Sequence, residues 1–487
     1  CGPAILVGDE IFESNLDGPA YNTYRATYDE TVEYICSELE TAAAYLPLKA
    51  SIAQFERPTK GAAYALIARL RLHAASPLFN GTSTARLYFG NWKRTYDKEY
   101  YVNQNYSEEK WALAAAACKR VIDMNVYELF TVSKDQNTPQ LPAGVPTENF
   151  PNGAGGIDPF KSYSHMFTGD EPFKNNNEVI WGRISEEVKG YTQQSFPQYM
   201  GGYNGMGLTQ KMIDAYRMED GKTIEEAMAV GEYKEGPNDF TSGPRDFSDY
   251  HLNGNIWQMY ANREMRFYAC VGFNGCYWPA TSTTDGSYRL QTVKYCMDGN
   301  AGKYAGTVGS DNYTPTGYVI KKYISSYDAW RGNSSERYEK GFPIIRYAEI
   351  LLSYAEALNH VNPADERIIA HIDSVRYRAG IPLLKDIKPE IKGNQTLQEE
   401  AIRKERRIEL FAEGQRYFDV RRWMCADEEG YKQGGPVHGM NMNADNLEGF
   451  MERTSFETRI FERRMYLYPI PLNEIQKSSK LVQNPGW

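Results

Sequence analysis

The sequence predicts a mainly α protein in which two helical ends frame a loop-rich centre containing short strands, and three observations carry that expectation. Apolar residues recur at three-four spacing in the first quarter of the chain, where Tyr28, Val32, Ile35, Cys36, Leu39, Ala42, Ala43 and Leu46 line one helical face. The same period returns in IIRYAEILLSYAEALNHV (344–361) and ADERIIAHIDSVRYRAG (364–380). Between these ends the chain loses helical period and fills with Gly, Pro, Asn, Ser, Thr and Tyr. The expected organisation is one domain over 1–487, with a helical part at 1–130, a loop-rich part at 131–340 and a second helical part at 341–487.

Each element has a local reason. Leu46-Pro47 ends the first helix, because proline cannot continue the hydrogen-bond ladder. TKGAAYALIARLRLHAAS (59–76) starts on a threonine cap, carries small residues where a partner helix can approach, and stops at Pro77. EEKWALAAAACKRVID (108–123) repeats that pattern. Helix pairs joined by short turns, with small residues at the crossings, follow the logic of tetratricopeptide repeats, here in degenerate form. From about 134 to 175 the chain is loop-like, and REMRFYACVGFNGCYW and TGYVIKKYIS read as short strands. Gly380 and Pro382 close the helix at 364–380, a further helix begins near Thr396, and a short one near Leu472 precedes an extended tail.

Composition excludes several classes of function. The net charge of −9 leaves no global basic field for nucleic acid, and the basic run Arg403–Arg407 reads as a solvated helix face. No run of eighteen apolar residues can span a bilayer, mean hydropathy is −0.60, and no signal peptide is recognisable. Seven cysteines without a CxxC pair give no disulfide framework, although Cys270 and Cys276 are close enough in sequence to bridge. The six histidines form no metal-ligand pattern, and His73 on its apolar helix reads as a core residue. GxSxG, P-loop and dinucleotide fingerprints do not occur, and GGYNGMG (201–207) reads as a turn.

The segment KERRIELFAEGQRYFDVRRW (404–423) is the one place where catalysis could be sought, since Glu405, Glu409 and Glu413 recur among five arginines. Catalytic carboxylate pairs face a cleft from different elements. On one helix, spacing instead predicts neighbour pairs, Glu413 with Arg416, Asp419 with Arg422 and Arg406 with Glu409. The apolar face would carry Ile402, Leu410, Phe411 and Phe418, with Gly414 as a packing notch.

RYAEILLSYAEALN (346–359), ERRIELFAEGQRYFDVRRW (405–423) and YLYPIPLNEIQKSSKLVQNPGW (466–487), in this order, resemble the SusD/RagB family of nutrient-binding surface lipoproteins of Bacteroidetes. TKGAAYALIARLRLHAASPLFN, NNNEVIWGRIS, DAYRMEDGK, ANREMRFYACVGFNG and PVHGMNM extend the resemblance over essentially the whole chain. It implies a superhelical scaffold of tetratricopeptide-like helix pairs that packs against a SusC-like TonB-dependent transporter, with the irregular centre displaying the ligand site. The implied role is capture of an oligosaccharide or polysaccharide at the outer-membrane cell surface, without covalent chemistry. Peptide binding in the manner of RagB is the alternative, and a glycoside hydrolase the more remote one. CGPAILV (1–7) resembles an internal family segment reading roughly YGPxPLV, so the expectation is a member without its N-terminal portion, its lipid anchor upstream of Cys1; acylation of Cys1 itself is the competing view.

The family fixes no shared binding aromatics, so candidates rest on residue type and position. The 37 tyrosines and 8 tryptophans suit a protein that stacks on sugar rings, because tyrosine offers a flat apolar face with a polar tip. Tyr277 and Trp278 follow a strand and turn; Tyr288, Tyr313 and Trp330, with Arg331 beside the last, lie in the loop-rich centre; Trp92 and Tyr96 lie between two N-terminal helices. Tyr347, Tyr354, Tyr417 and Trp423 fall on the family blocks and are expected to pack. No cofactor or metal is expected, since the acid-and-Asn stretch GSDNYT (309–314) is too weak to assign a Ca²⁺.

Overall fold

The computed structural model describes residues 2–9, 11, 13, 22–304 and 312–487. Cys1 and the first three residues of GSDNYT lie outside them. The N-terminal part holds α1 (Tyr28–Tyr45), α2 (Lys60–Ala75), α3 (Ser83–Phe89) and α4 (Glu108–Ile122). The centre holds α5 (Pro159–Thr168), β1 (Val179–Ile184), α6 (Glu186–Ser195), α7 (Gln210–Ile213), α8 (Ile224–Ala229), β2 (Arg245–Phe247), β3 (Tyr250–Leu252), α9 (Met265–Cys270), β4 (Val271–Gly272), β5 (Cys276–Trp278), β6 (Gln291–Val293) and β7 (Val319–Ile320). The C-terminal part holds β8 (Gly341–Arg346), α10 (Tyr347–Val361), α11 (Glu366–Arg378), α12 (Leu384–Ile387), α13 (Gln395–Glu409), α14 (Gln415–Arg422), β9 (Gly435–Met440), α15 (Leu447–Phe450), β10 (Arg453–Arg459) and α16 (Leu472–Lys477).

The expected threonine cap of α2 is in place, and α1 carries a capping box of its own. Thr27 and Glu30 form a reciprocal capping box on α1, and the Thr59 hydroxyl accepts from Ala62 N at 3.3 Å. Small residues on α2, Ala65 and Ala68 among them, are fully buried against α4, whose Ala114 is likewise closed off. α10 then packs on α4, α2, α11 and α13, which joins the two helical ends into one frame. Among the described residues every sheet has two antiparallel strands, and β1 with β8 ties the centre to the start of α10. The centre has its own aromatic core, where Tyr260, Phe267 and Phe273 pack within 4.5–6.4 Å of one another.

Several local expectations need correction. REMRFYACVGFNGCYW begins with the short helix α9 over Met265–Cys270, and only its second half forms the expected short strands, β4 and β5. Cys270 and Cys276 are both buried free thiols. The acid-rich segment 404–423 is not one helix. Ala412 and Gly414, at φ +57° and +79°, break it between α13 and α14. Gly414 is therefore a turn residue that needs the left-handed region, and a Cβ there would meet nothing within 4 Å, so it is no packing notch. Phe418 is exposed rather than part of an apolar face.

The charge pairs are corrected in the same way. Asp419 does pair with Arg422 at 2.9 Å, but Arg406 pairs with Asp419, and Glu413 pairs with Arg346 and Lys322. Arg406 is buried, so the run 403–407 is not a solvated face. Glu409 is fully enclosed and meets Arg346 at 2.7 Å, Arg266 at 2.9 Å and also Arg378. Glu178, Glu264, Glu405 and Glu413 complete the acids of this network, with Arg376 and Lys322 among the bases. Its members come from α9, β8, α11 and α13, from the loops before α9, β1 and α14, and from the loop after β7, so it rivets the centre onto the frame. Burial alone would push the Glu409 carboxyl up, yet Arg378, Arg346 and Arg266 hold it far below the usual range.

Candidate functional site

The irregular centre presents a strip of aromatic and cationic side chains. The Arg331 guanidinium lies 5.0 Å over the Tyr288 ring, and its Nη1 donates to Tyr199 O at 3.3 Å. Half-buried Trp330 donates from Nε1 to Thr192 Oγ1 at 3.3 Å, while Arg337 covers its ring at 4.3 Å. The two Trp330–Arg331 anchors thus come from α6 and the loop after it, and Gly201 makes the close approach possible. At φ +92°, a Cβ on Gly201 would sit 2.8 Å from Trp330 O. Tyr199 Oη accepts from Asn300 at 3.1 Å, and Tyr203 is 42% exposed on the same loop. Lys303 lies 5.6 Å over Tyr313 and bonds Asn443 at 2.7 Å, beside the exposed Tyr304.

A second feature adjoins this strip. Tyr277 on β5 is half-buried with the His251 ring 5.1 Å away, and burial raises its phenol. Trp278 is buried against Phe196 at 4.8 Å and lines a cleft of about 150 Å³. The chain from Pro279 to Leu290 connects the cleft to Tyr288, with Leu290 N donating to Pro279 O at 2.8 Å. Tyr277, Trp278, Tyr288, Trp330 and Arg331 are thus linked through the chain 279–290 and the Arg331–Tyr288 contact, whereas Tyr313 is tied to Lys303.

Trp92 and Tyr96 stand elsewhere. Trp92 is packed on Phe89 and Tyr101 in the N-terminal cluster, with Arg25 at 5.1 Å, and Tyr96 is exposed beside Tyr24 and Arg94. Tyr354 and Trp423 are buried, and Tyr347 and Tyr417 half-buried, as packing requires. Tyr199, Tyr203, Asn300 and Lys321 were missed by sequence reasoning. GGYNGMG gave a signal for the first two, because a glycine-rich turn flanked by tyrosines can expose rings; nothing in the sequence marked Asn300 or Lys321.

Residues 176–487 match the SusD family, and residues 8–72 match a family described as starch-binding associating with outer membrane. The chain belongs to the SusD family. A curated relative, SusD-like protein P2 of Formosa agariphila, is 30% identical over 172 residues, which is 34% of this chain and 30% of that protein's length. Among solved structures, BT4246 superposes with a TM-score of 0.78 at 24% identity, over 100% of this chain and 80% of the other. A SusD-like protein of Bacteroides fragilis, BF3747, gives 0.67 at 23% identity, over 100% and 76%. A SusD-like carbohydrate binding protein of the same organism, BF0978, gives 0.65 at 18%, over 99% and 75%. The mainly helical scaffold with an irregular centre is thus the SusD-like fold.

Proposed function

We propose that this protein captures an oligosaccharide or polysaccharide at the outer-membrane surface and passes it to a SusC-like TonB-dependent transporter. The observation that carries this reading is the strip of Tyr288, Arg331, Trp330, Tyr199 and Tyr203 on a rigidly mounted, irregular centre. Ring faces stack on the C–H patches of sugars, while arginine and asparagine bond hydroxyls, which yields modest affinity suited to later release. Family membership and the carbohydrate binding ascribed to BF0978 support the ligand class. The description of the second family match supports the membrane setting. In this reading the protein is anchored by lipid, binds without cofactor and catalyses nothing.

Affinity electrophoresis through gels containing candidate polysaccharides tests the proposal. At least one glycan should retard the protein, and Tyr288→Ala with Trp330→Ala should abolish the retardation. Binding of peptides with no glycan retarding the chain would overturn it in favour of peptide uptake. Steady release of new reducing ends would overturn the non-catalytic part. Co-purification of a TonB-dependent transporter from native membranes is the expected partner result.

A further inference from the structure

The cleft under Trp278 holds a cation that the surface strip does not use. Lys321 is buried, which lowers its ammonium below the ordinary lysine range, and among the described residues it forms no ion pair. Its Nζ donates to Tyr277 O at 3.0 Å and sits 5.0 Å from the Trp278 ring and 5.2 Å from the Tyr250 ring. That contact uses one of three ammonium protons. The Tyr250 hydroxyl, also on a buried lining residue, has no hydrogen-bond partner among the described residues.

The other charges of the cleft are accounted for. Asp249 pairs with Lys161 at 2.5 Å, and Asp328 with Lys340 at 2.6 Å. Asp170 accepts from Ser325 at 3.0 Å, and burial keeps His165 below its ordinary range and so neutral. Asp249 and Ser326 are exposed at the mouth, whereas Lys321, Tyr250 and Tyr268 are closed off within. The volume equals on the order of five waters, room for one small ring. A buried ammonium without a counter-ion is unfavourable, and a bound carboxylate would supply one together with an acceptor for Tyr250.

We infer that this cleft is an acidic-sugar subsite in which Lys321 and Tyr250 hold the carboxylate of a hexuronate unit whose ring lies along the apolar wall of the cleft. The inference deepens the glycan reading and rests on it for the sugar, because a free carboxylic acid offers the same charge. It narrows the substrate class to glycans with an accessible uronate.

Calorimetry on the full chain with glucuronate, galacturonate, glucose and benzoate tests it. A hexuronate should bind at least tenfold more tightly than glucose and raise the melting temperature where equal glucose does not. Lys321→Met should remove at least tenfold of hexuronate affinity and Tyr250→Phe a few-fold. Lys321→Met should also melt higher than wild type without ligand, since it removes an unpaired buried charge. Retardation of wild type by a neutral polysaccharide with no binding of either hexuronate would overturn the cleft while leaving the strip standing, which separates the two failures. Equal binding of glucose, no binding of either hexuronate, or full affinity in folded Lys321→Met would overturn the inference. Benzoate binding as tightly as hexuronate would overturn the saccharide assignment. The wild-type comparisons stand even if a variant misfolds.

Discussion

Replacing Glu409 with glutamine removes one carboxylate from the buried network and leaves Arg346, Arg378 and Arg266 short of a shared partner. Breaking a buried pair from one side strands charge in a low dielectric, and the expected loss is about 3–5 kcal/mol, read as a lower urea midpoint with unchanged slope. Glu187→Gln, on an exposed acid, should shift stability by under about 0.5 kcal/mol. A second effect at this scale involves His371, whose imidazole is lowered to about 4 by burial first and by Arg367 second. In the unfolded chain it titrates near about 6.5, so between those values the unfolded state holds the extra proton. Stability should therefore fall as pH drops from about 6.5 to 4, by at most about 1.4 kcal/mol per unit from this group. His371→Leu should flatten that limb in thermal melts, and an unchanged slope would contradict the assignment. The sequence singles out Glu409 only as a helix-face partner of Arg406, and nothing in it marks His371. Spacing along one helix predicts partners three or four residues away, whereas the partners of Glu409 lie on β8, α11 and α9.

At the scale of elements, legibility follows how local the cause is. The stop of α1 at Leu46-Pro47, the threonine cap of α2, its stop at Pro77 and the close of α11 near Gly380 are decided by a few adjacent residues and are readable in the sequence. α9 was misread as strand because MRFYAC is rich in β-formers, and tertiary packing in the aromatic core overrode that preference. The break between α13 and α14 was hidden by a charge pattern that stays helical in period across it. The glycine-rich turn 201–207 was recognised as a turn, but not as the support of the aromatic strip. That role gives a prediction. A Cβ on Gly202 would lie 2.1 Å from the Phe196 carbonyl oxygen, so the backbone must move. Gly202→Ala should cost about 1–3 kcal/mol through overpacking and displace Tyr203 and the Trp330 contact. Retardation by a binding glycan should weaken about tenfold, equivalent to about 1.4 kcal/mol. Full retention in the variant would detach the turn from the site.

For the molecule as a whole, the sequence revealed a helical frame around a loop-rich centre but not how the two are joined, because the joint consists of long-range ion pairs between residues far apart in the chain. Arg266 and Lys322 from the centre reach Glu405, Glu409 and Glu413 from the C-terminal part, and Arg346 bonds Glu178 across the β1–β8 pairing. A loop-rich region attached only by flexible ends would open independently and expose its amides first. The network instead makes opening of the centre require the separation of charges that the frame holds, so both should unfold as one unit. Hydrogen exchange should then show the amides of β4 and α9 exchanging with the same high opening free energy as those of α10. In Glu409→Gln both should fall together, since the substitution weakens a joint and not one side. If the centre of wild type exchanges much faster than α10, the network does not couple them, and the strip would be carried on a mobile support unsuited to a preformed binding surface.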